Sequence, residues 1–225
     1  MTYIWTFILL LVALSGCQKA TIDVKKEQTS AETKNWNTKA VLSVFSSASP
    51  EVNKSCEIFN AKVTQLVDSL QNGLKKDADS FFELYPENSP ERPVWNYEIY
   101  TVDSVFSATP DFISLRVEVY TFSGGAHGST GFYAFNYDVK KQVFLEPDQI
   151  VDLNKSTELN ALLVKNLVDE YDCFTEKPTV SAGFDALNVS PESVCFTYPQ
   201  YVLGPYSCGW AQISIPKTEL KGILK

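Results

Sequence analysis

From Ile113 to Thr121 the side chains alternate strictly: Ile113, Leu115, Val117, Val119 and Thr121 are interleaved with Ser114, Arg116, Glu118 and Tyr120. A period of two belongs to an extended strand with one face against a core and the other in water. Tyr133, Phe135 and Tyr137 repeat the pattern, and Trp95, Tyr97 and Ile99 announce it earlier. Ser123-Gly124-Gly125-Ala126-His127-Gly128 joins the two strongest strands. Its three glycines in five positions imply backbone angles closed to other residues, or a close approach by another group. Neighbours linked so briefly pair antiparallel.

Two segments switch to the helical period. Ser49-Pro50-Glu51 has the form of a helix start: a capping hydroxyl, Pro at the first helical position and an acid in the first turn. Phe59, Val63, Leu66, Leu70 and Leu74 then define a buried stripe, with Cys56 on the same face. Leu159, Leu162, Leu163, Leu167 and Tyr171 predict a second helix. Strands are expected at 38–45, 194–198 and 210–215, a loop at 86–93, a turn at 138–141, and a helical turn after Pro216. The order strand, helix, strands, helix, strands predicts an α+β fold, an antiparallel sheet packed with two main helices.

The first residues obey a different rule. Ile4 to Leu14 is an almost unbroken apolar run, about half the ~20 residues that span a bilayer, which fits the apolar region of a signal peptide. Leu14-Ser15-Gly16-Cys17 follows and resembles the bacterial lipobox, in which small residues precede a cysteine that becomes the acylated N-terminus. No Lys or Arg precedes Ile4, so the α-amino group supplies the only positive charge there. Residues 1–16 are therefore expected to be a lipoprotein signal peptide, and 17–37 a lipidated Cys17 with a flexible polar tether, since that stretch has no apolar period. The expected location is the cell envelope, with the lipid anchor as the only membrane attachment, on the periplasmic or outer surface of a bacterial membrane.

An exported chain permits disulfides. Beyond Cys17 there remain Cys56, Cys173, Cys195 and Cys208, and four cysteines allow three connectivities. Cys195 and Cys208 flank an expected hairpin and are the candidates to face each other, which would leave Cys56 for Cys173; four buried free thiols are the alternative. With a single histidine, His127, and no CxxC pair, no metal site is expected, and no cofactor. A net charge of -8 excludes a nucleic-acid binder, which needs a basic face to displace counterions, and favours encounter with a cationic partner.

Two stretches are candidates for function. In the first, Gly124, Gly125, His127 and Gly128 form a structural loop in which His127 is chiefly a hydrogen-bonding pin. It is also the one weak candidate for a general base, beside Ser123 and Ser129. The second runs from Tyr198 to Trp210 and is stiffened by Pro199, Gly204, Pro205 and Gly209. Tyr201, Tyr206 and Trp210 are its ligand-binding candidates, because flat amphipathic rings suit protein interfaces and sugar faces.

Those stretches also carry a resemblance. Tyr120-Thr-Phe-Ser-Gly-Gly-Ala-His-Gly128, with the Asn60-containing helix before it, and Val194-Cys-Phe-Thr-Tyr-Pro-Gln-Tyr201, Gly204-Pro-Tyr206, Gly209 and Ile215-Pro-Lys-Thr-Glu-Leu220 after it, resemble the DUF4163/DUF3298 family. This family supplies the extracellular part of RsiV-like anti-sigma factors and the N-terminal region of PdaC-like peptidoglycan deacetylases. The resemblance implies a DUF4163-like part over 38–150 and a DUF3298-like part over 151–225. It implies lysozyme or a peptidoglycan-related ligand as partner, met through Tyr201 and Tyr206. It does not carry over the deacetylase chemistry, which resides in a separate metal-binding domain. The expectation is a non-enzymatic binding domain for an extracellular or periplasmic protein or glycan. The rival is a cell-wall glycan hydrolase or deacetylase-related enzyme using His127 with Asp138 or Glu118.

Overall fold

The computed structural model describes residues 20–225. The expected signal peptide and Cys17 lie outside the described residues. The elements run β1 (Asp23–Glu32), β2 (Trp36–Ser46), α1 (Pro50–Glu83), β3 (Tyr97–Ala108), β4 (Phe112–Phe122), β5 (Ser129–Asp138), β6 (Val143–Phe144), α2 (Pro147–Ile150), α3 (Ser156–Asn166), β7 (Ala186–Val189), β8 (Ser193–Tyr198) and β9 (Ala211–Pro216). Strands β1 to β6 form one sheet in sequence order, and β7 to β9 form a second. The fold is α+β, as its alternating periods predict. The sheet is mixed, because α1 carries the chain over so that β3 lies parallel to β2, while every other strand pair is antiparallel.

Helix α1 is longer than its apolar stripe suggests. It buries Val52, Cys56, Phe59, Val63 and Val67 on one face, against Phe45, Ile99 and Leu115 among others. Ser49 sits at the N-cap with Pro50 behind it, but its hydroxyl makes no cap bond. Asn53 reaches back instead and accepts the Ser47 N–H at 3.0 Å. Beyond Val41 the pairing of β2 with β3 stops, and side chains take over the vacated backbone positions. Asn60 accepts the Phe45 N–H (3.0 Å) and donates to the Phe45 carbonyl (2.8 Å). The carboxylate of Asp103 accepts the Ser43 N–H and pairs with Lys26.

Three expectations need correction. The tether expected over 17–37 is strand β1 from Asp23 to Glu32, paired along its whole length with β2. Its side chains are exposed on both faces, so it leaves no apolar period, and the backbone ladder organises it with the Lys26–Asp103 pair. The second helix ends at Asn166, and Tyr171 lies beyond it, 87% exposed, rather than in the stripe. After Pro216 the chain forms hydrogen-bonded turns instead of a helical turn, with Glu219 N–H bonding the Pro216 carbonyl at 2.9 Å.

The largest departure concerns β4. Its polar face is buried as well as its apolar face: Ser114 and Arg116 are almost fully covered. The second sheet closes over them. Asn188 of β7 donates to the Leu115 carbonyl (2.9 Å) and to Ser114 Oγ (3.1 Å), and Asn136 of β5 donates to the Leu187 carbonyl (2.7 Å). The two apolar cores, one within residues 40–139 and one within 150–223, thus meet across a hydrogen-bonded polar layer. Among the described residues no helix is long and apolar enough to cross a membrane.

Candidate functional site

The two stretches singled out in the sequence come together. The turn between β4 and β5 is seated by close approach. Gly124 has φ +97°, and a Cβ there would lie 2.5 Å from the Trp95 indole. Trp95 itself belongs to an aromatic cluster with Phe81, Tyr97 and Phe122. A Cβ on Gly128 would strike the Tyr120 ring at 2.5 Å and the Thr121 carbonyl. Any side chain at either position would displace the loop.

This seating projects His127 into solvent, where residues of the second stretch meet it. Its Nδ1 lies 2.8 Å from the Gly128 carbonyl oxygen, and its Nε2 lies 3.1 Å from Tyr201 Oη. A carbonyl only accepts, so Nδ1 donates to it, and the Tyr201 hydroxyl, which can donate or accept, serves Nε2 in either protonation state. Tyr206 stacks on the imidazole at 3.8 Å between centroids and 20° between planes. Tyr201 lies 5.7 Å from Tyr206 and is 64% exposed. Tyr201 holds φ +70°, a left-handed conformation uncommon for an aromatic residue. Gln200 beside it accepts the Thr130 N–H at 3.2 Å, which fastens the loop to the first residues of β5.

A disulfide fixes the far side of this surface. Cys173 and Cys208 are bonded, with 5.7 Å between their Cα atoms. The pairing of Cys195 with Cys208 is thereby corrected, and so is that of Cys56 with Cys173. In the β8–β9 ladder Cys195 stands opposite Ser214, not Cys208, and Cys208 has left the strand in a 3₁₀ turn, Tyr206–Cys208. Cys56 and Cys195 are free and buried; burial pushes the Cys56 thiol pKa up. Gly204 lets the loops close: a Cβ there would lie 3.0 Å from the Cys173 carbonyl. Asp169 accepts the N–H groups of Cys173 and Phe174, both at 2.9 Å, and these bonds hold its pKa down.

Trp210 has a more structural part than Tyr201 and Tyr206. Phe132 packs on it at 5.0 Å, and Arg116 lies 4.8 Å from its ring centroid. Phe106, which the bulge in β3 leaves out of register, and Phe132 complete a cage around this guanidinium at 5.4 and 5.2 Å. Arg116 donates to Thr197 Oγ1 and Gln212 Oε1, both at 2.8 Å, and makes no ion pair among the described residues. The other edge of Trp210 lines an open groove of about 500 Å³ with Glu170, Tyr171 and the disulfide. Sequence periodicity put Tyr171 in a helical stripe and passed over Val168; both are largely exposed here. Arg116 was hidden for the opposite reason, as a polar residue on a face expected to be wet.

The carboxylates proposed for His127 are elsewhere. Asp138 ends β5, nine residues from Ser129, roughly 30 Å along an extended strand. It is occupied by Lys141, whose N–H it accepts at 2.9 Å. Glu118 stands opposite Phe132 in the middle of the hairpin, roughly 13 Å from the end of β4. Neither Ser123 nor Ser129 bonds the imidazole; Ser129 Oγ lies 3.4 Å from Thr121 Oγ1. Among the described residues no three His, Cys, Asp or Glu side chains gather to hold a metal ion.

Comparison with known proteins agrees with the resemblance drawn from the two stretches. Residues 29–130 match the family model Deacetylase PdaC. The match begins inside β1 and ends just after Gly128, so it spans the six-stranded sheet as far as the His127 loop. A curated relative, the peptidoglycan-N-acetylmuramic acid deacetylase PdaC of Bacillus subtilis strain 168, is 29% identical over 122 residues. That alignment takes in 50% of this chain but 26% of the relative. In fold, the chain resembles a DUF3298-family protein from Bacteroides fragilis, with a TM-score of 0.62 and 15% identity over 92% of this chain and 94% of the other. A second DUF3298-family protein, from Pseudomonas aeruginosa PAO1, gives a TM-score of 0.51 at 15% identity, covering 92% and 95%. The PdaC-like part and the whole DUF3298-like fold thus coincide in one chain.

Proposed function

We propose that this chain is a lipid-anchored envelope protein whose folded part is a non-enzymatic binding domain for an extracellular or periplasmic protein or glycan. The anchor rests on the apolar run before Cys17 and the small residues beside it. The binding role rests on one observation: Tyr201, Tyr206 and His127 form a solvent-facing aromatic surface in which both imidazole nitrogens are occupied, one by a backbone carbonyl and one by a tyrosine. This histidine ties the two tyrosine rings to the β4–β5 turn, one by a hydrogen bond and one by stacking, and no carboxylate among the described residues orients it as a base. The disulfide and the Gln200 clamp hold the rings in place before any partner arrives, which lowers the ordering cost of association.

A cationic protein suits the net charge of -8, and lysozyme is the partner we propose to test first. Purified protein should capture lysozyme at low salt and release it as salt screens the attraction. Tyr201→Ala and Tyr206→Ala should abolish capture while changing the melting temperature by only a few degrees. No capture at any salt concentration removes lysozyme; capture unchanged in both variants removes the aromatic surface. The same preparations incubated with peptidoglycan test the enzymatic rival. Release of acetate or reducing ends that His127→Ala abolishes without loss of folding would overturn the non-enzymatic reading.

A further inference from the structure

Strand β5 pairs with β4 along one edge, and its other edge is only partly covered. Three bonds identify the residues that face away from β4. The Thr130 N–H reaches Gln200 (3.2 Å), the Phe132 N–H reaches Asp185 Oδ2 (3.1 Å), and the Asn136 carbonyl accepts the Leu145 N–H (2.8 Å). In an antiparallel pair alternate residues exchange both backbone bonds with the partner, and the residues between them turn both groups outward. Ala134 has the parity of Thr130, Phe132 and Asn136, so its N–H and C=O also point away from β4. Strand β6 pairs only with Tyr137 and Asp138 and does not reach it. Neither group of Ala134 has a partner among the described residues.

The space in front of Ala134 is a groove. Two adjoining cavities, about 520 and 180 Å³, share Lys62, Ala134, Phe135 and Asp185. Leu66 of α1 forms one wall, and Phe144 and Leu145 form part of the other end. Apart from the Phe132 N–H, Asp185 has neither a hydrogen-bond donor nor an ion-pair partner among the described residues. Glu146 adds a second carboxylate to the groove, against the single cation of Lys62.

We propose that this groove takes an extended basic peptide, which adds to the outer edge of β5 as a further strand. An unpaired backbone donor and acceptor beside each other is the template that strand addition requires. The Leu66 and Phe135 side chains accept apolar residues of the incoming strand, and Asp185 with Glu146 accepts its cations. The site is distinct from the Tyr201–Tyr206–His127 surface and does not depend on it.

A fluorescently labelled, end-capped hexapeptide of alternating Lys and Val is a suitable probe. Its anisotropy should rise saturably on titration with the protein. Methylating the amide nitrogens that face β5 keeps every side chain but removes the bonds the peptide donates and puts methyl groups between the strands, and should weaken binding about tenfold or more. Asp185→Asn should also weaken it, and Tyr201→Ala should leave it unchanged. Hydrogen exchange of the Ala134 amide should slow in the presence of the unmodified peptide. No saturable binding at about 1 mM peptide, equal binding of the methylated peptide, or unchanged exchange at Ala134 would each overturn the proposal. Loss of binding in Tyr201→Ala would place the peptide on the aromatic surface instead.

Discussion

The Cys173–Cys208 bond closes a loop of sequence separation 35. That loop contains β7 and β8 and carries Tyr201 and Tyr206 near its end. The chain-entropy relation for such a loop gives about 3.8 kcal/mol at 25 °C, chiefly by restricting the unfolded chain. For a chain of this length that corresponds to roughly 8–15 °C in melting temperature. We therefore expect Cys173→Ala/Cys208→Ala to lower the urea midpoint in proportion, without changing the far-ultraviolet spectrum at low urea. Reductant should lower the wild-type midpoint towards that of the double variant and leave the variant itself unmoved. Peptide mapping under non-reducing conditions should recover Cys173 linked to Cys208, with Cys56 and Cys195 as thiols that react only after unfolding, because both are buried. A loss below about 1 kcal/mol would refute the loop-closure account. A recovered Cys195–Cys208 link would refute the connectivity itself.

Four other outcomes follow from local geometry. Gly128→Ala places a methyl against the Tyr120 ring and the Thr121 carbonyl, and should cost about 1–3 kcal/mol by overpacking, read by thermal unfolding. Arg116→Ala should cost about 3 kcal/mol because it empties a site 4% exposed. Arg116→Met keeps the volume but leaves the buried Thr197 Oγ1 without its donor, and should cost about 1–2 kcal/mol, less than the alanine variant; equal losses in the two variants would show that the hydrogen bonds and charge, not the packing, matter. Burial raises the pKa of Asp185 in the folded state, so its ionisation opposes folding, an effect absent below the unfolded pKa and growing as pH rises through the folded one. Asp185→Asn should thus be more stable than wild type at pH 7, and the two should converge near pH 3 (roughly a unit below the usual aspartate value). Asp169 has the opposite sign: its bonds to Cys173 and Phe174 stabilise above the ordinary carboxylate range and are lost as pH falls through its lowered pKa.

What the sequence displayed, and what it hid, divides along a physical line. Alternation in β4 and β5, and the stripe on α1, were legible because a water-facing side and a core-facing side differ in polarity. The convergence of the His127 loop with Tyr201 and Tyr206 was not legible: the two stretches were singled out separately, and nothing in spacing says that residues 74 apart in the chain bond each other. Strand β1 was invisible because both of its faces meet solvent. The short strand β7 was invisible too, since its four residues are too few to display a period. The polar face of β4 misled in the other direction. Ser114 and Arg116 look like solvent-facing positions, yet both are buried, where Asn188, Thr197 and Gln212 hydrogen-bond them. Polarity marks where water or a hydrogen-bonding partner must be, and hydropathy cannot distinguish the two.

That polar layer bears on how the binding surface is held. An apolar contact between the sheets would tolerate sliding, because dispersion and area burial have little directional preference. The bonds of Ser114, Asn136 and Asn188 are directional and lie where an unpaired donor or acceptor is expensive, so they admit one register of the second sheet on the first. Arg116 extends the layer to β8 and β9, and to Trp210, two residues beyond the Tyr206–Cys208 turn. Tyr206 reaches its stacking distance of 3.8 Å from His127 because one ring is delivered by the second sheet and the other by the β4–β5 turn of the first. A shift of the sheets by one residue, about 3.3 Å along a strand, is nearly as large as that distance and would break the contact. The buried polar residues between the sheets, silent in any reading of surface chemistry, therefore set the geometry of the aromatic surface from below.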